Sequence, residues 1–108
     1  MAQIIWTEPA LFDLEELAQY IALDDINAAK NLVRKIFNTV SRLEEFPNSG
    51  RKPPELERTS RYLEVIENPC RIFYRIDNNQ VYILYVMRSE RELRKFLIDE
   101  RSGDISQS

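Results

Sequence analysis

RYLEVIENPCRIFYRIDNNQVYILYVMRSER, residues 61–91, holds three runs of Val, Ile, Tyr, Phe and Leu, each bounded by Asn, Pro or Asp. Runs of this kind fit a pleated, half-buried surface and predict three strands. Two tight turns join them, at Asn68-Pro69 and Asn78-Asn79. Asn tolerates the positive φ that a two-residue hairpin turn requires. The turn sets a register, and the register decides which side chains share a face. Ile76 is expected opposite Val81, Tyr74 opposite Ile83, Ile72 opposite Tyr85 and Cys70 opposite Met87. This face is apolar and reads as core, with Leu63 and Val65 joining it. The other face carries Arg71, Phe73 and Arg75 beside Tyr82, Leu84, Val86 and Arg88, and a second two-residue turn adds Tyr62, Glu64 and Ile66. Its arginines and aromatic rings give it the character of a working surface.

Upstream of this meander, Gln3–Thr7 is a short apolar run with β-branched and aromatic residues, a predicted first strand. Thr7-Glu8-Pro9 then offers a capping side chain and a first-turn proline, a helix start. Leu11, Leu14, Ala18 and Ile21 recur at helical spacing, with Leu17 beside them. Asp24-Asp25 breaks this helix and caps a second one, whose apolar stripe is Ala29, Leu32, Val33, Ile36, Phe37, Val40 and Leu43. Pro47 ends it. A short break between two amphipathic helices predicts an antiparallel hairpin. Arg51–Ser60 reads as a polar connector. Downstream, Glu90–Ile98 is expected to form a helical turn or two, with Leu93, Phe96 and Leu97 returning to the body, and residues 99–108 a frayed tail.

The order strand, helix, helix, three strands, short helix predicts an α+β fold with a helical hairpin on one face of an antiparallel sheet. The first strand is expected at an edge of the meander, with either edge open to it.

At 108 residues the chain is read as a single domain, 1–108, large enough for a real core. One cysteine, Cys70, excludes a disulfide framework and suits a reducing cytoplasm. It alternates with Ile72 and Tyr74, which makes it a small core residue rather than a nucleophile. No basic, then apolar, leader opens the chain, and no apolar stretch approaches the ~18 residues of a membrane span. A cytoplasmic protein without membrane partners is expected. The net charge of −3 conceals a split, since residues 1–29 hold six acids and no base. That asymmetry permits a basic surface on an acidic protein.

The chain contains no histidine, which removes histidine-based nucleophilic triads and most zinc or iron sites. Two glycines cannot build a phosphate-binding loop. Asp24-Asp25 and Glu44-Glu45 flank helix ends, where capping explains them. No cofactor and no metal is expected. Arginine and aromatic chemistry on a sheet remains. Arg71 and Arg88 are expected diagonally across neighbouring strands, and two guanidinium groups held close call for a phosphate or carboxylate between them. Tyr62 and Phe73 would stack a base or pack a partner's side chain. Glu64, opposite Phe73, would neutralise Arg71 or Arg75. An ordinary exposed face with cross-strand ion pairs is the competing reading.

The segments FPNSGRKPPEL, RYLEV, PCRIFYRID and VYILYVMRSERELR, in this order, resemble the ParE/RelE superfamily of toxins from bacterial toxin–antitoxin pairs. The resemblance covers nearly the whole chain. It implies a small cytoplasmic toxin that forms a hetero-oligomer with a cognate antitoxin. RelE-like members cut mRNA in the ribosomal A site without a metal; ParE-like members poison DNA gyrase. For a ribonuclease the resemblance places Arg71, and Arg91 or Arg88, at the scissile phosphate, with Glu64 as general base. Tyr62 and Glu64 stand where RelE-like members carry lysines, and Phe96 or Leu97 near their catalytic tyrosine, so the ribonuclease set is incomplete. A pI near 5.0 also fits poorly with a ribosomal RNA cavity. The resemblance therefore favours the ParE branch, in which Arg71, Arg88, Arg91, Tyr62, Phe73 and the segment Glu92–Ile98 are candidates for target contact. A degenerate toxin that retains only antitoxin binding is a third reading. Family members are embraced by an extended antitoxin segment, by strand addition and helix packing. Phe12, Tyr20 and Phe37 are candidates for that groove, or else close the hairpin's own core.

Overall fold

The computed structural model describes residues 1–106. Strand β1 (Gln3–Trp6) leads into α1 (Glu8–Ala22) and α2 (Ile26–Ser41), which a short 3-10 turn, Arg42–Glu44, extends. The connector then leads to β2 (Tyr62–Glu67), β3 (Cys70–Asp77) and β4 (Gln80–Arg88), and α3 (Lys95–Ser106) follows. The strands form one sheet in the order β1-β4-β3-β2. The meander is antiparallel, and β1 joins its β4 edge in the parallel sense, making the sheet mixed.

Local chemistry accounts for the element boundaries. Thr7 caps α1 by accepting from the Ala10 amide, and its own hydroxyl donates to Ile83 O at 2.6 Å, tying the helix start to β4. Asp25 caps α2 by accepting from the Ala28 amide at 3.0 Å. Asn78 and Asn79 both take positive φ, 49° and 63°, as a two-residue hairpin turn demands. Gly50 is dictated by close approach. A Cβ there would lie 2.5 Å from the Tyr74 hydroxyl and 2.7 Å from Glu64 O. In its absence the Gly50 amide donates to the Tyr74 hydroxyl, which donates to Pro47 O. Arg51 then pairs with the outer edge of β2 through two backbone bonds with Glu64 and blocks that edge at mid-strand.

The helical hairpin packs on one sheet face. Ala10 and Leu14 of α1, Leu32, Ile36 and Val40 of α2, and Leu43 meet Cys70, Ile72, Tyr74, Val81, Ile83 and Val86. The buried side of α1 is rotated from expectation: Ala10 is fully buried and Leu11 is exposed. A small residue at the Ala10 position lets the helix start approach the sheet closely.

The meander register holds at Ile76↔Val81 and Tyr74↔Ile83, then shifts. An extra residue in β4, Leu84, makes a bulge, after which Phe73 pairs with Tyr85, Ile72 with Val86, Arg71 with Met87 and Cys70 with Arg88. The expected pairs Ile72–Tyr85 and Cys70–Met87 are therefore replaced. Val86 turns to the hairpin core, and Tyr85 and Met87 turn to the other face.

That other face is a second core and not an open working surface. Tyr62, Phe73, Leu84 and Met87 pack with Leu93 and Ile98 beneath α3 and the connector. The C-terminal helix starts later than Glu90 and continues through the region expected to fray, since residues 95–106 are helical. Leu93 and Ile98 are buried, whereas Phe96 is 61% exposed. Residues 107–108 of the expected tail lie outside the described residues.

Candidate functional site

Arg71 lies at the centre of the covered face. Its Nε donates to Glu64 Oε1 at 2.7 Å, and Nη2 donates to Glu64 Oε2 at 3.1 Å and to Glu55 Oε1 at 2.7 Å. Nη1 donates to Glu55 Oε2 at 2.7 Å and to Arg91 O at 3.0 Å. A guanidinium has five N–H donors, and all five are engaged. Its carbon also lies 4.8 Å from the centre of the Phe73 ring. Arg71 and Glu64 are almost wholly buried. The Arg71 hydrogen bonds hold the Glu55 carboxyl down at about 2, and Glu55 in turn raises the guanidinium pKa above its ordinary value. Glu64 takes a second cation, Arg51, at 3.3 Å. Glu55 also accepts from the Leu93 amide at 2.9 Å. With Arg91 O and Leu93 N bound from the side, the turn after β4 runs on through irregular residues 92–94 and the helix begins only at Lys95.

The bulge separates Arg88 from Arg71, so the expected anion-binding pair is not formed. Arg88 leaves the arginine face, and its Nε donates to Glu90 at 2.6 Å. It borders a cleft of about 650 Å³ between α1 and the end of β4, lined by Asp13, Leu17, Tyr20 and Arg91 among others. Arg91 is exposed. Its guanidinium makes no ion pair among the described residues. Tyr62 and Phe73 are enclosed; the Tyr62 hydroxyl donates to Asp99 of α3 at 2.8 Å.

Phe12, Tyr20 and Phe37 are all substantially exposed, at 60%, 65% and 40%. They do not share one groove. Tyr20 lines the α1–β4 cleft, Phe12 a second concavity with Leu11 and Arg101, and Phe37 packs against Trp6 with ring centres 4.8 Å apart.

One cluster has no counterpart in the sequence reading. Asp13 of α1 accepts from the Val86 amide at 3.0 Å and pairs with both terminal nitrogens of Arg101, at 2.6 and 3.1 Å. Arg101 also donates to Leu84 O at 2.9 Å and lies 3.7 Å from the centre of the Tyr85 ring. Together the two side chains satisfy backbone groups beside the bulge and tie α1, β4 and α3 into one node. Glu55 was likewise hidden, in a connector without periodic pattern.

Residues 4–93 match the family described as ParE toxin of type II toxin–antitoxin system, parDE. The chain belongs to the ParE toxin family. A relative from Sinorhizobium fredii (strain NBRC 101917 / NGR234), named "Putative toxin Y4kP", is 39% identical over 90 residues, which cover 83% of this chain and 91% of the relative. Among solved structures, the chromosomal ParDE toxin–antitoxin system from P. aeruginosa superposes with a TM-score of 0.68 at 25% identity, covering 83% of this chain and 98% of that one. The RelBE2 toxin–antitoxin complex from Mycobacterium tuberculosis gives 0.54 at 27% identity, covering 81% and 96%. This ParE-family toxin thus shares its architecture, including the mixed sheet and hairpin, with toxins of both branches.

Proposed function

We propose that this ParE-family toxin acts by docking on DNA gyrase, without cutting RNA itself, and that a cognate antitoxin neutralises it. The observation that supports this reading is the saturation of Arg71. To bind a scissile phosphate, a guanidinium needs free donors facing an accessible site. Here every donor is engaged by Glu55, Glu64 or Arg91 O. Glu64, the candidate general base, is 1% exposed and has both oxygens on arginines. No histidine is present to share proton transfer. Arg91 at the cleft, exposed and without an ion pair among the described residues, and beside it Arg88, paired only with the exposed Glu90, are the cations that remain to meet a macromolecular target.

On this reading the antitoxin docks on the hairpin side. Arg51 occupies the outer edge of β2, while no strand pairs with the outer edge of β1 among the described residues. Strand addition therefore has β1 open to it, and Tyr20 and Phe12 offer apolar anchors on α1.

The test has two arms with purified components. Supercoiling by gyrase should fall and cleaved DNA should accumulate as the toxin is added. Programmed ribosomes should yield intact mRNA. Cutting at the A-site codon would overturn the gyrase reading, and harmless overexpression of the wild-type chain would point to a degenerate toxin.

A further inference from the structure

Within the hairpin, charge is divided between the two helices. α1 carries Glu8, Asp13, Glu15 and Glu16 and no base, whereas α2 carries Lys30, Arg34 and Lys35 and no acid. The buried side of α2 is Ala29, Leu32, Ile36 and Val40. At 3.6 residues per turn, Lys30, Arg34 and Lys35 lie on the opposite arc, and Arg42 extends the row into the 3-10 turn. Asn27, Asn31 and Asn38 fill the positions between, all exposed. None of the four cations forms an ion pair among the described residues, in contrast to Arg51, Arg71, Arg75, Arg88, Lys95 and Arg101. The adjacent acids lie off this row. Asp24 and Asp25 precede the helix, Glu44 and Glu45 follow it, and Glu67 accepts from Thr39.

We propose that the outer face of α2 is a binding surface for the phosphodiester backbone of duplex DNA. The composition favours nucleic acid over protein. Protein interfaces centre on apolar residues and are depleted in lysine. On α2 the exposed apolar residues, Ile26 and Phe37, stand at the margin of the row. Contacts to phosphate and sugar come instead from Lys, Arg and Asn donors. A helix of 16 residues presents such donors along ~24 Å, the length of about seven base-pair steps. The proposal rests on the gyrase reading for its biological sense, because an enzyme that works on DNA brings a duplex to any protein docked on it.

Direct binding, measured without gyrase, separates the two ideas. The full-length protein is titrated into a fluorescein-labelled duplex of about 20 base pairs, at 50 and at 200 mM salt. Neutralising three to four phosphates predicts binding that weakens about 40- to 150-fold between the two salt concentrations. Lys30→Glu/Arg34→Glu/Lys35→Glu should weaken binding at low salt by more than about tenfold while far-UV circular dichroism and melting stay unchanged. Arg58→Glu, a reversal away from α2, should not. No binding at 50 mM salt, or a triple variant that binds like wild type, would overturn the proposal. So would capture of poly-glutamate without capture of the duplex, which would make this an acidic-protein surface. Loss of gyrase inhibition with DNA binding intact would remove the target reading and leave this one standing.

Discussion

Arg71 shows how far the role of one residue depends on its neighbours. On an open sheet an arginine at this position would be an anion receptor. Buried between Glu55 and Glu64 it is an ion-pair hub that positions the segment carrying Arg91. The distinction changes how a loss-of-function variant should be read. Arg71→Ala would leave the Glu64 carboxylate, which is 0% exposed, with only the longer contact to the exposed Arg51. Breaking a buried pair from one side costs about 3–5 kcal/mol, a large fraction of a small domain's stability. Arg71→Ala is therefore expected to lower the melting temperature and soluble yield as well as toxicity. Adding Glu64→Gln should recover part of the melting loss by removing the stranded charge. A variant that melts like wild type and has lost its toxicity would instead assign Arg71 a direct contact. Cys70 illustrates the opposite case, in which the sequence pattern sufficed. Alternation with Ile72 and Tyr74 placed it in the core, and burial pushes its thiol up to about 11.

At the scale of elements, what was legible in the sequence is what local chemistry decides. Asn78-Asn79 demanded a hairpin turn, Thr7 and Asp25 demanded helix starts, and alternation through Cys70–Asp77 demanded a strand. The bulge at Leu84 was not legible, because no residue near it signals it. The groups that satisfy its backbone are Asp13, 73 residues before Val86, and Arg101, 17 residues after Leu84. One inserted residue then moved Arg88 to the other face and dissolved an expected site. The start of α3 was missed for a related reason: Glu55, 38 residues upstream, binds the Leu93 amide. The Asp13–Arg101 node should consequently govern how firmly α3 is held. A hydrogen bond to a charged group contributes about 1.5–3 kcal/mol. Asp13→Ala is expected to destabilise the protein by about that much and to speed hydrogen exchange at the Val86 amide. Asp13→Asn, which keeps an acceptor, should do less on both counts. An Asp13→Ala protein with wild-type urea midpoint and Val86 exchange would show that the bulge stands without its side-chain partners.

At the scale of the whole molecule, stability is cooperative, and its response to acid reports which carboxylates the fold has enlisted. Glu55 is the clearest candidate. It joins the connector to β3 through Arg71 and to the start of α3 through Leu93, and the Arg71 bonds depress its pKa from an ordinary 4.5 to about 2. A carboxylate depressed on folding contributes stability that is fully present above the unfolded pKa and lost as pH falls through the folded one. The contribution of Glu55 should therefore be complete above about pH 4.5 and disappear progressively between about 4.5 and 2. Other acids titrate over the same range, so the informative quantity is a difference. Urea midpoints of wild type and Glu55→Gln should be well separated at pH 7 and converge below about pH 4.5. The variant lacks one titration, and its acid limb should be the shallower of the two. A separation that persists unchanged down to pH 2 would mean that the glutamine removes packing and not charge. In that case the connector would be held by the Arg51–Glu64 backbone pairing, with Glu55 incidental to it.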